Sequence, residues 1–94
     1  MPVIGVLTLE LRLENSHSLK EKRHVVLSLK ERLRHKFNVA VAEIDFQDLW
    51  QRSMLAAVTV SSDQTHAEKV LRGVEDEAAS LLGSELVGAT VEWI

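Results

Sequence analysis

The chain predicts an α+β fold: one four-stranded antiparallel sheet with two helices packed on a single face. Three observations predict it. An N-terminal segment alternates with period two, two later segments repeat apolar residues at helical spacing, and a short polar connection joins two strand-like runs mid-chain. At 94 residues the chain is sized for one domain, residues 1–94. An apolar fraction of 46% and a charged fraction of 27% suit a packed core rather than disorder.

Residues 3–14 form the first strand. Val3, Gly5, Leu7, Leu9, Leu11 and Leu13 point one way; Ile4, Val6, Thr8, Glu10, Arg12 and Glu14 point the other. Pro2 precedes it, where a missing N–H does little harm. Asn15-Ser16-His17 breaks the pattern. Ser18-Leu19-Lys20-Glu21 then reads as a capping box, with the Ser18 hydroxyl on the Glu21 amide and the Glu21 carboxylate returning to the Ser18 N–H. The helix it opens carries Leu19, Val26, Leu29, Leu33 and Phe37 on one face, ends on Arg34, His35 and Lys36, and stops at Asn38 in a left-handed conformation.

Val39–Asp45 and Ser53–Ser61 are the second and third strands, joined by residues 46–52 closely enough to form a hairpin. Ser62 or Asp63 caps a second helix with Ala67, Val70, Leu71, Val74, Ala78, Leu81 and Leu82 on one face. Gly73 is expected on its solvent face and Gly83 just past its end. Glu85–Ile94 is the last strand. The order βαββαβ with right-handed crossovers is the ferredoxin-like sandwich, with strand order 4-1-3-2 and the first and third strands central. The helix-free face is expected to show Ile4, Val6, Leu55, Ala57, Ala40 or Val41, and Ile94. That face is apolar enough to predict a homo-oligomer formed through it.

Net charge is −3, distributed unevenly. Residues 1–37 carry eight Lys/Arg and four Glu, a net +4; residues 38–94 carry three Lys/Arg and ten Asp/Glu, a net −7. On the first helix Lys20, Arg23, Lys30 and Arg34 form one stripe, the pattern of a surface that tracks RNA phosphates. The competing reading is a solvated face neutralised by Glu68 and Glu75 of the second helix. Lys22 projects toward the apolar side of its helix, either snorkelling at the thin end of the core or reaching over the sheet edge to Glu43 or Asp45. Glu43 and Asp45 share a strand face in this reading. With Asp48 they make an acidic group with the donor chemistry of a metal or acid–base site, although surface carboxylates at a strand end are commoner. Trp50, in the connection, is a core plug or an interface anchor, and Trp93 is expected to pack on the sheet.

Nothing else points to catalysis. The four histidines lack metal-site spacing, no cysteine offers a thiolate, and no glycine-rich phosphate loop is present, so no cofactor is expected. The N-terminus lacks a basic leader, and no apolar run approaches the roughly 18 residues of a membrane span. A cytoplasmic location and no membrane partner are the expectation.

Ser18-Leu19-Lys20-Glu21-Lys22-Arg23, Lys36-Phe37-Asn38-Val39-Ala40-Val41-Ala42-Glu43 and Gln47-Asp48-Leu49-Trp50-Gln51-Arg52 together resemble the bacterial YlxP-like family, a domain family of unknown function. The resemblance spans nearly the whole chain. It implies the same ferredoxin-like fold and no known reaction. Genes of that family are often found near those for translation initiation and ribosome maturation factors, so the resemblance raises the expectation of contact with RNA or a ribosomal particle.

Overall fold

A computed structural model describes Met1–Ile94 and follows the predicted order: β1 (Val3–Arg12), α1 (Leu19–Lys36), β2 (Ala40–Asp45), β3 (Arg52–Ser61), α2 (Gln64–Leu82), a short 3-10 turn (Gly83–Glu85) and β4 (Leu86–Trp93). The sheet order is β2-β3-β1-β4, with every neighbouring pair antiparallel. This is the ferredoxin-like sandwich. Leu7, Leu9, Leu11 and Leu13 lie at most 1% exposed beneath Val26, Leu29 and Leu33 of α1 and Leu71, Val74 and Ala78 of α2. Burial of this single face drives the two layers together.

The caps differ from expectation in detail. Ser18 accepts from the Glu21 N–H at 3.1 Å, but the Glu21 carboxylate accepts from the His17 N–H at 2.6 Å rather than from Ser18. α1 ends at Phe37 in extended backbone, and Asn38 is not left-handed; its carbonyl accepts from Thr59 Oγ1 at 2.9 Å. Asp63 is the N-cap of α2, accepting from the Thr65 N–H at 3.2 Å.

Three face assignments are corrected by packing. Leu55 and Ala57 are fully buried on the helix side, opposite Leu9 and Leu7 of β1. The helix-free face of β3 is instead carried by Met54, Ala56, Val58 and Val60. β3 is apolar on both sides, so alternation alone does not choose. The inner face also carries Ser53 and Thr59, and it can be the inner one because each buried hydroxyl finds an acceptor there, Glu43 at 2.6 Å and the Asn38 carbonyl at 2.9 Å. Gly73 is not on the solvent face. A Cβ there would lie 2.7 Å from Cε1 of Phe37, whose ring packs against the glycine. Leu81, placed on the core face by its spacing, is 46% exposed. Trp93 does pack on the sheet, across Gly5, where an added Cβ would meet its ring at 2.5 Å.

Candidate functional site

Lys22 closes the first turn of α1, on the same side as Val26, Leu29 and Leu33, because residues four and seven apart share a helix face. Its side chain therefore enters the protein instead of leaving it, and it is 0% exposed. It does not snorkel. Its ammonium donates to Glu43 Oε2 at 2.9 Å and to the carbonyls of Phe46, Gln47 and Arg52 at 2.7, 3.2 and 3.3 Å. Three N–H donors are thus shared among four acceptors, leaving none for a ligand. Glu43 also accepts from Ser53 Oγ, so no buried side-chain polar atom is left unpaired. Of the two partners the sequence offered, Glu43 takes the lysine and Asp45 accepts from the Phe46 N–H.

A β-bulge separates the acidic pair. Glu43 lies opposite Leu55, on the core side, whereas Asp45 lies opposite Met54, on the helix-free side. The two carboxylates therefore face opposite ways and form no shared acid–base or metal-binding pair. The bulge also aims the chain into residues 46–51. Phe46 takes a positive φ of 64°, a conformation costing a residue with a Cβ about 1–2 kcal/mol. Its carbonyl receives the shortest Lys22 bond and its ring lies 3.9 Å under the Arg52 guanidinium. Gln51 ties the far side of the loop to the Glu14 and Ser16 carbonyls. The loop is thus fixed from several sides, yet Leu49 and Trp50 at its tip are 44% and 49% exposed and Asp48 is exposed. Trp50 is not a core plug.

The basic stripe lies along the flank of α1 turned away from α2. Lys20, Arg23 and Arg34 are exposed and Lys30 is half-buried. None of the four has a carboxylate within ion-pair distance; the molecule's ion pairs are Lys22–Glu43, Arg32–Glu77, Lys36–Glu77 and Arg52–Glu10. The pairing expected with Glu68 and Glu75 does not form. Those residues occupy the other flank of α2, in a shallow recess with Val91 and Trp93 of β4. The contact between helices is made by Glu77, which accepts from Lys36 at 2.7 Å and Arg32 at 2.9 Å. The Lys36 hydrogen bond, reinforced by Arg32, holds the Glu77 carboxyl below its ordinary value. Spacing identified the stripe. It did not identify Glu77 or Ser53, because each helix or strand offers two flanks and only docking selects between them.

Comparison with known proteins agrees with this architecture. The family described as "Protein of unknown function (DUF503)" matches residues 4–91. The "Uncharacterized protein YlxP" of Bacillus subtilis (strain 168) is 40% identical over 72 residues, covering 77% of this chain and 78% of that protein. Among solved structures, the "De novo designed protein Foldit4" superposes with a TM-score of 0.63 at 13% identity, covering 100% of this chain and 97% of the other; that likeness concerns the fold alone. With the match running through both helices and all four strands, the chain belongs to the DUF503 family of proteins of unknown function, alongside YlxP.

Proposed function

We propose that the protein is a non-enzymatic module that contacts RNA, free or within a ribosomal particle, through Lys20, Arg23, Lys30 and Arg34. One observation carries the reading: these four cations have no acidic partner, although the same helix spends Lys22, Arg32 and Lys36 on internal ion pairs. A chain of net charge −3 that leaves one ordered row of cations unpaired presents a surface suited to a polyanion. The row's spacing along a helix suits successive phosphates and carries no base readout, so binding tolerant of sequence is expected. Log affinity for single-stranded RNA should fall linearly with log salt, with a slope of about −0.7 per contact and near −3 for four. Replacing Arg23 and Lys30 together by alanine should weaken binding across sequences and flatten the slope by about 1.4. Absence of RNA binding by the intact protein at low salt contradicts the reading.

A second reading, a protein contact, is favoured by Leu49 and Trp50, which stay exposed at the tip of a loop held in place by Lys22. A rigid aromatic anchor loses little entropy on binding. Trp50→Ala should then reduce association with ribosomal particles and leave the salt slope on free RNA unchanged. An unaltered association contradicts this second reading.

A further inference from the structure

β4 ends the sheet on one side, and the register locates its free backbone groups. The Ile94 N–H donates to the Ile4 carbonyl at 2.9 Å, and Trp93 lies opposite Gly5. Bonded and non-bonded positions alternate in an antiparallel pair, so Thr90 and Glu92 bond to β1 while Ala89, Val91 and Trp93 turn their N–H and C=O groups to the open side. Natural sheet edges are blunted by lysine, proline, inward charge, bulges or short length. Leu86–Trp93 contains neither lysine nor proline, and its one irregularity falls at the far end, beside Leu86. The other free edge, β2, is six residues long and carries its bulge between Glu43 and Asp45.

Side chains beside this edge narrow its occupant. Val91 and Trp93, opposite Leu7 and Gly5 on the helix side, stay 41% and 38% exposed. With Leu71, Glu68, Arg72 and Glu75 of α2 they line a shallow recess. None of these three charged residues has an ion-pair partner in the molecule, and neither has Glu92 on the other face of β4. Three carboxylates therefore stand against one guanidinium. A row of outward N–H and C=O groups at strand spacing is satisfied by an extended backbone. The recess beside it suits a long cationic side chain, whose methylene stem covers Val91 and Trp93 while its charge reaches Glu68 or Glu75. The β4 edge of a second copy would bring the same carboxylates against these, like charge against like.

We propose that β4 takes up an extended, lysine- or arginine-rich segment of another protein as a fifth strand, paired through Ala89, Val91 and Trp93. Main-chain hydrogen bonds would supply affinity in such strand addition, and the acidic recess would select the segment by charge. The site lies at the opposite edge of the sheet from β2 and on the flank of α2 away from α1, so it is separate from the RNA contacts proposed above and does not depend on them.

Fluorescence anisotropy of a labelled peptide of about ten residues, alternating lysine and threonine, tests this on the full chain. The protein should bind it at micromolar concentrations and bind the glutamate–threonine counterpart at least about tenfold more weakly. Ala89→Pro removes an outward N–H and no bond to β1, so it should keep the wild-type circular dichroism and weaken peptide binding about tenfold or more. Val91→Lys, which puts a cation in the recess, should act in the same direction and serves if Ala89→Pro does not fold. Glu68→Gln combined with Glu75→Gln should weaken binding and flatten its dependence on salt. Arg23→Ala combined with Lys30→Ala, on the other helix, should leave it unchanged. Absence of binding at high micromolar concentration, equal binding of the two peptides, or binding undiminished by the folded β4 variant overturns the proposal. So does a wild-type dimer that is lost in that variant, which would give the edge to a second copy.

Discussion

Lys22 is the residue on which the β2–β3 connection depends. An ammonium taken wholly out of water is tolerable only when its charge and all its protons are matched, and here one carboxylate and three carbonyls match them. Lys22→Met removes the cation and strands Glu43, whose side chain is only 18% exposed, along with the loop carbonyls. The expected loss is about 3–5 kcal/mol in urea unfolding. Adding Glu43→Gln should recover part of it, since the stranded charge is then gone, giving a coupling of about 0.5–3 kcal/mol. Strictly additive losses would show that the two side chains do not act as a pair. The lysine's place on the apolar side was legible from spacing. Its acceptors were not, because they lie more than twenty residues away and a bulge decides which of Glu43 and Asp45 faces inward.

The two helices communicate through Glu77. Its carboxyl binds a proton less readily in the folded chain than in the unfolded one, because Lys36 and Arg32 hydrogen-bond the ionised form. The linkage sign follows: the contribution to stability is complete above the ordinary value of 4.5 and is lost as pH falls through the lowered folded value. Glu77→Gln should therefore be less stable than wild type near neutral pH, with the difference closing in acid below that window. Paired urea titrations from neutral to acid pH check it, and a difference independent of pH would assign the effect to packing. Both flanks of α2 carry glutamate, Glu68 and Glu75 on one and Glu77 on the other. Gly73, under Phe37, marks the flank that faces α1, and the sequence alone assigned that glycine to solvent.

Across the molecule, order is graded from the centre of the sheet outward. β1 and β3 are each paired on both edges and bury Leu7, Leu9, Leu55 and Ala57 completely, whereas β2 and β4 each have one free edge. Local opening costs least where a strand is paired once and its side chains remain wet, as along β4. Hydrogen exchange should be slowest at the amides of β1 and β3 and distinctly faster in β4. Protection in β4 equal to that in β1 would show that the sheet opens only as a unit. The same grading leaves the surfaces proposed for function at the periphery, on the outer flank of α1 and the tip of residues 46–51. No helix is long and apolar enough to cross a membrane.

Periodicity by itself determined the six elements, their order, the inner face of β1 and the basic stripe of α1. Each of those follows from which side chains recur at a spacing of two or of three and four, and such spacing is local information. Tertiary structure alone decided which side of β3 is inside, which carboxylate receives Lys22, and which glutamate joins the helices. In each of these cases the local pattern is degenerate: two apolar faces, two nearby acids, two acidic flanks. The choice is made by long-range hydrogen bonds from Ser53, Thr59 and Lys22, which must be satisfied once water is excluded, and by the more exposed contacts of Arg32 and Lys36 with Glu77. Polar groups buried in the core, rather than its leucines, are what select one docking among the several that hydrophobic burial would accept.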